Sequence, residues 1–105
     1  MYGIIIEYDY QGDEDTWETA IDTFLDNIGK DSRLSGRFSY TVCKKPEGNG
    51  RMHIGRWDVP ETVAHLQSQR FFKTFSEAVQ NFGSGTLASR NFGIQKQTKP
   101  LTYSQ

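Results

Sequence analysis

The segment Trp57–Phe82, WDVPETVAHLQSQRFFKTFSEAVQNF, marks the point where the chain changes from a strand pattern to a helical one. Asp58 and Glu61 have the spacing of a capping box, which predicts a helix N-terminus at Asp58. Pro60 stands in the first turn, where its missing N–H removes no helical hydrogen bond. The sequence therefore predicts a helix that begins directly behind a strand.

The apolar residues of this segment recur at helical spacing. They fall on one face and comprise Val63, Leu66, Phe71, Phe75, Ala78, Val79 and Phe82. The spacing slips at 67–70, which predicts a kink or a short break there. Gly83 follows the last apolar residue, as a glycine just past a helix end does.

An earlier helix is predicted from an unbroken apolar stripe. Asp15 and Glu18 form a capping-box pattern before it, and Gly29 is the predicted end. The stripe comprises Trp17, Ala20, Ile21, Phe24, Leu25 and Ile28. The link 30–35 that follows is predicted to be polar.

Strand patterns fill the rest of the chain. Alternating side chains predict strands over 3–10, 37–44 and 51–57, and a fourth strand over about 87–96. The turn residues 46–50 join the second and third of these as a hairpin. We expect one domain over 1–97 and a polar tail over 98–105.

The element order is strand-helix-strand-strand-helix-strand, so the predicted fold is α+β and ferredoxin-like, βαββαβ. A four-stranded antiparallel sheet then carries two helices on one face. The residues predicted for that face are Ile4, Ile6, Phe38, Tyr40, Val42, Met52 and Ile54. The second face is predicted to be mixed, with Ile5, Cys43, His53 and Trp57 among the polar residues Glu7, Ser39, Thr41 and Asn91.

Composition excludes several classes of function. The net charge is −1 and the basic residues are scattered, so no electrostatic footprint for nucleic acid or an acidic membrane is present. No apolar run approaches membrane-spanning length. The opening MYGIII lacks a basic region and cleavage site, and Cys43 is the single cysteine, which together predict a cytoplasmic protein.

The two histidines, His53 and His65, have no cysteine or carboxylate at ligand spacing, so we predict no metal site. His65 lies beside Leu66 at the edge of the apolar stripe, where a histidine can line a cleft and move protons near neutral pH. The alternative is a boundary histidine hydrogen-bonded to a neighbour. Trp57 can wall a pocket or simply pack, and Arg56 is a candidate for holding an anionic ligand.

A family resemblance attaches to the Trp57–Phe82 segment. Trp57, Glu61, the Ala64-His65-Leu66 run, Ser68 and Phe71 resemble the strand-to-helix segment of antibiotic-biosynthesis-monooxygenase-like proteins. The close match covers about a fifth of the chain. This family shares a fold more reliably than an activity.

The resemblance implies a homodimer in which two sheets pair as a dimeric α+β barrel. It also implies binding of a small aromatic or polyketide-like molecule, with cofactor-free oxidation of a quinol as one activity. Tyr8, Tyr40, Trp57 and Arg56 would then contact the ligand, and His65 would transfer protons. No cofactor is expected.

Haem degradation is the second activity that the resemblance brings. Relatives that degrade haem use an Asn on the first strand and a Trp and a His on the second helix. The matching positions in this chain hold Glu7, His65 and Phe75. All three positions depart from the pattern, so we exclude that activity.

Two other classes of function remain as alternatives. One is a non-catalytic ligand-binding or dimerisation domain. The other is nucleic-acid binding on the sheet, which requires exposed aromatic residues within a basic surround. Tyr40, His53 and Trp57 lack that surround, so this class ranks last.

Overall fold

The computed structural model describes residues 1–99, and it contains one antiparallel sheet with helices on one face. The elements are β1 Tyr2–Asp9, α1 Glu14–Lys30, β2 Phe38–Lys44, β3 Gly50–Trp57, α2 Pro60–Gln67, α3 Arg70–Gly83 and β4 Ala88–Gly93. The four strands lie in the order β2-β3-β1-β4, and each neighbouring pair is antiparallel. The ferredoxin-like prediction is confirmed, with its second helix divided into α2 and α3.

Helix α1 begins earlier than the capping-box pattern predicted. Asp13 is the N-cap, and its carboxylate accepts hydrogen bonds from the Thr16 backbone N–H and hydroxyl, both at 2.8 Å. The capping box of Asp15 and Glu18 is therefore wrong. The helix also continues through Gly29 to Lys30. The buried face consists of Trp17, Ile21, Phe24 and Ile28.

The predicted break in the second helix is confirmed between α2 and α3, at Ser68 and Gln69. Its start differs, because Val59 is the N-cap and makes no side-chain capping bond. The Asp58 carboxylate instead accepts hydrogen bonds from the Val59 N–H and the Thr62 hydroxyl. The capping box of Asp58 with Glu61 is therefore not formed.

Gly83 is the last residue of α3 rather than the residue beyond it. The left-handed conformation falls on Ser84, with φ 44°. A Cβ atom at Gly83 would lie 3.2 Å from the Cβ atoms of both Tyr8 and Leu87. The glycine therefore lets α3 approach the sheet closely, and it serves packing rather than a turn.

The predicted sheet faces are wrong for β3, because its side chains alternate in the opposite sense to the prediction. Ile6 pairs with His53 in the sheet register, so both side chains lie on the face that the helices cover. Trp57 lies on that face too, opposite Phe38 of β2. Met52 and Ile54 alternate with these residues and lie on the opposite face. This second face, which no helix of the described chain covers, is called the open face below.

The core lies between the sheet and the helices. Phe24 of α1 stacks on Phe75 of α3, with ring centroids 3.8 Å apart and planes at 3°. Leu34 is fully buried although it falls in the link predicted to be polar.

Within residues 1–99 no helix is both long enough and apolar enough to cross a membrane. Most of the predicted tail, from residue 100 onward, lies outside the described residues.

Candidate functional site

A cavity of about 320 Å³ lies between the helix-covered face of the sheet and the helices α2 and α3. This is the lower end of the range for small-molecule sites. Aromatic rings form much of its wall, namely Phe24, Phe38, Tyr40, Trp57, Phe72 and Phe75. Polar side chains also reach it, namely Gln67, Ser76, Gln80, Ser89 and Asn91.

The cavity arises where β4 meets the helices. Ser89 and Asn91 pair with Ile6 and Ile4 of β1, so the helix-facing positions of β4 carry short polar side chains. Large apolar side chains at these positions would fill the space under α3, whereas short polar ones leave a void with hydrogen-bonding groups on its wall. Ser89 and Asn91 are exposed on this edge strand, so the cavity opens towards solvent at β4.

A chain of hydrogen bonds crosses the core beside this cavity. The Trp17 indole Nε1–H donates to Tyr8 Oη at 2.8 Å. The same Tyr8 oxygen lies 2.8 Å from His53 Nε2. On the other side of the imidazole, His53 Nδ1 lies 2.8 Å from Tyr40 Oη. Four side chains from α1, β1, β3 and β2 are therefore connected, and the last of them lines the cavity.

Burial sets the protonation states of the side chains in this hydrogen-bond chain. His53 has no exposed surface, and desolvation lowers its pKa from 6.5 to about 4, so the imidazole is neutral near pH 7. Burial also raises the pKa values of Tyr8 and Tyr40 above their usual range. Near neutral pH the chain consists of uncharged donors and acceptors.

A buried arginine holds the outer end of this chain. The Arg51 guanidinium lies over the Trp17 ring, 4.4 Å from its centroid, and its Nη2 donates to a Glu14 carboxylate oxygen at 2.6 Å. Hydrogen bonds from Arg51 and then Lys44 lower the pKa of Glu14. This cation–π contact helps to fix the indole whose N–H meets Tyr8.

The structure brings together two of the predicted ligand-contacting residues. Tyr40 and Trp57 both line the cavity. Tyr8 is buried behind the cavity and is connected to its wall through His53 and Tyr40. Arg56 is exposed on the open face, away from the cavity.

His65, the predicted proton-transfer residue, is not among the residues that line the cavity. Its Nε2 lies 2.7 Å from an Asp31 carboxylate oxygen at the C-terminal cap of α1, and both side chains are mostly buried. A hydrogen bond from His65 is the main cause of the lowered pKa of Asp31. The geometry is that of a bridge between α2 and the end of α1.

Sequence reasoning missed His53 and Asn91 as members of this face. Parity places His53, Gly55 and Trp57 on one face of a regular strand, but it does not show which of the two faces is buried. Because Met52 and Ile54 are large and apolar, the sequence pattern favoured their face as the one that the helices cover.

A groove of about 670 Å³ runs between α1 and α3, and Thr, Ala and Phe side chains form most of its wall. It lacks a buried polar network. Across residues 1–99 no three His, Cys, Asp or Glu side chains are grouped to hold a metal ion.

No protein family model matches the sequence, and no curated protein gives a significant match. Solved structures do match the fold. SnoaB, described as a cofactor-independent oxygenase from Streptomyces nogalater, has a TM-score of 0.73 over 91% of this chain and 94% of its own, at 12% identity. Rv0793 from Mycobacterium tuberculosis has a TM-score of 0.75 over 93% and 98%, at 9% identity.

A protein from Deinococcus radiodurans, provisionally named an antibiotic biosynthesis monooxygenase, has a TM-score of 0.73 over 97% of this chain and all of its own, at 8% identity. At such identities the similarity concerns the fold. The chain therefore has the ferredoxin-like α+β fold of the antibiotic-biosynthesis-monooxygenase-like proteins, the family that its Trp57–Phe82 segment resembles.

Proposed function

We propose that this protein binds a planar aromatic molecule in the cavity between the sheet and the helices α2 and α3, and oxidises it as a cofactor-free monooxygenase. The observation that carries the proposal is the cavity itself, about 320 Å³ and walled by aromatic rings with a few polar groups. Such a wall suits a fused-ring ligand with oxygen substituents. The name of SnoaB, a cofactor-independent oxygenase with this fold, adds support.

The chemistry proposed requires electrons from the substrate, because no cofactor supplies them. A quinol meets that need. In the balanced reaction, a quinol and O₂ give a hydroxyquinone and water, so one oxygen atom enters the ring and the other leaves as water. The protein's part is to hold the ring, exclude water and place hydrogen-bonding groups near the ring oxygens.

The test uses 1,4-dihydroxynaphthalene and ¹⁸O₂. Spontaneous oxidation of this quinol gives naphthoquinone and hydrogen peroxide without adding oxygen to the ring, so ¹⁸O in the product reports monooxygenation. We expect protein-dependent incorporation of one ¹⁸O atom. The experiment is run on Cys43→Ser, since the quinone product adds to thiols and Cys43 is the single cysteine.

The matched control is Val79→Trp, which fills the cavity from α3. Incorporation that persists in this variant would place the chemistry elsewhere. If the quinol binds and no ¹⁸O enters the product, the competing function, a non-catalytic ligand-binding domain, is favoured.

We also propose that two copies pair through the open face to form a dimeric α+β barrel. The open face carries half-buried apolar side chains that no helix of the described chain covers, namely Ile5, Cys43, Met52 and Ile54, with Phe92 at its β4 edge. The same face carries Ser39, Thr41, Arg56 and the Glu7–Arg90 ion pair, so it is mixed. Its uncovered apolar part favours burial against a second copy.

A further inference from the structure

The hydrogen-bond chain beside the cavity has a defined direction. An indole N–H can only donate, so Tyr8 Oη accepts from Trp17 Nε1. The hydroxyl hydrogen of Tyr8 then needs an acceptor of its own. Within residues 1–99 the other polar partner of Tyr8 Oη is His53 Nε2, at 2.8 Å. Tyr8 therefore donates to Nε2.

The direction continues through the imidazole. A neutral histidine has one N–H and one acceptor nitrogen, so an acceptor Nε2 places the hydrogen on Nδ1. His53 Nδ1–H then donates to Tyr40 Oη at 2.8 Å. The reverse direction would leave the hydroxyl hydrogen of Tyr8 unpaired at a residue only 3% exposed, an arrangement that folded proteins avoid.

The hydrogen-bond chain ends at Tyr40, a residue of the cavity wall. Tyr40 Oη has no hydrogen-bond partner besides His53 within the described chain, and Tyr40 lines the cavity. We propose that the Tyr40 hydroxyl is an oriented hydrogen-bond donor to the cavity ligand, and that this ligand is an aromatic ring system with a carbonyl or phenolate oxygen against Tyr40. The proposal rests on the proposed function for the existence of the ligand, and it adds the feature that the ligand must present.

Tyr40 differs in this respect from the other polar groups of the cavity. The side-chain amides of Gln67, Gln80 and Asn91 offer both a donor and an acceptor, so they do not select between the two. Tyr40 has its donor direction fixed from behind by His53 and Tyr8, which act as positioning residues. A site with a fixed donor discriminates against an analogue that lacks the acceptor, because the donor is then left unpaired.

The first experiment determines the tautomer of His53 without any ligand. Nitrogen-15 NMR of the protein distinguishes a protonated ring nitrogen from a pyridine-like one. His65→Gln identifies the His53 signals, since the chain has two histidines. His65→Asn serves the same purpose if the Gln variant is unstable. We expect Nδ1 protonated and Nε2 pyridine-like. The opposite assignment would overturn the proposal.

The second experiment compares 9-fluorenone with fluorene, which share a ring skeleton and differ in the carbonyl. We expect fluorenone to bind about tenfold more tightly than fluorene. Tyr40→Phe should remove that preference and leave fluorene binding within about twofold. Tyr2→Phe, on an exposed ring outside the cavity, is the matched control.

Infrared spectroscopy of bound fluorenone gives a readout that a purely structural role would not change. A hydrogen bond from Tyr40 lowers the carbonyl stretching frequency, so the frequency should rise in Tyr40→Phe. An unchanged preference and an unchanged frequency in that variant would refute the donor role. If neither compound binds, the ligand class of the proposed function is wrong. The His53 spectrum still decides the direction of the hydrogen bonds from Tyr8 to Tyr40.

Discussion

Tyr8 and His53 form a polar contact in the centre of an otherwise aromatic core. Tyr8 Oη lies 2.8 Å from His53 Nε2, and the two rings meet edge to face with centroids 5.1 Å apart. The residues belong to the neighbouring strands β1 and β3. The contact therefore depends on the register of these strands, and it connects α1 to the cavity wall through Trp17 and Tyr40.

The Tyr8 hydroxyl should contribute measurably to stability. Tyr8→Phe leaves the Trp17 N–H and His53 Nε2 without their shared partner, so we expect a loss of about 1–3 kcal/mol in the free energy of unfolding. Urea denaturation measures it. Tyr2→Phe removes a hydroxyl from a ring that is 42% exposed, and it should stay within about 0.5 kcal/mol. Equal effects of the two substitutions would contradict the importance of the contact.

His53 should make stability fall as the pH drops below 6.5. Burial lowers its folded pKa from 6.5 to about 4, so the unfolded chain takes up a proton first. The stability contribution of the neutral imidazole is complete above pH 6.5 and is lost progressively towards pH 4. We expect a decrease of roughly 2 kcal/mol between pH 6.5 and 5.

Denaturation at several pH values in a His65→Gln background isolates this effect from the second imidazole. Adding His53→Gln should flatten the dependence in that window. The carboxylates whose pKa values are lowered, such as Asp31, contribute at more acidic pH. If stability depends on pH just as steeply without His53, another titrating group is responsible for the dependence.

Phe24 should be one of the most sensitive positions of the core. It is 2% exposed and stacks on Phe75, so Phe24→Ala should cost on the order of 3–5 kcal/mol through lost burial and the cavity left behind. Its neighbour Leu25 is 36% exposed on the same helix, and Leu25→Ala should cost about 1 kcal/mol or less. Chemical denaturation of both variants tests which face of α1 is buried. A similar loss of stability in the two variants would refute this assignment.

The proposed pairing through the open face predicts a homodimer in solution. Sedimentation velocity at micromolar concentration should give twice the chain mass of 12.0 kDa. Ile54→Asp places a charge on the open face and should shift the protein to monomers, whereas Thr19→Asp, at an exposed position of α1 on the other side of the sheet, should not. A monomer at high concentration in the parent protein would exclude the barrel.

His65 provides a direct comparison between the sequence-based prediction and the geometry of the site. A general acid or base at this position would make His65→Gln lose about a hundredfold in quinol turnover. Because His65 pairs with Asp31 outside the cavity, we expect turnover and ligand binding to remain within about twofold. Asn91→Leu, at a cavity position, should reduce both. A hundredfold loss in His65→Gln would restore the role that the sequence suggested.

Local sequence patterns were sufficient for the elements and their order. The apolar stripe around Phe24 identified α1, the irregular spacing at 67–70 located the break between α2 and α3, and alternation over 3–10 gave the faces of β1. These features depend on interactions between residues a few positions apart, namely backbone hydrogen bonds and side-chain periodicity. Short-range patterns in a sequence report such interactions directly.

Only the tertiary structure decided which face of β3 is buried and where the cavity lies. The strand has apolar residues on both faces, and the choice follows from its register with its neighbours, which stacks Trp57 on Phe38 with ring centroids 5.9 Å apart. The same register places His53 between Tyr8 and Tyr40. These contacts join residues far apart in the chain, and the free energy of such contacts depends on how separate elements pack, which no local pattern encodes.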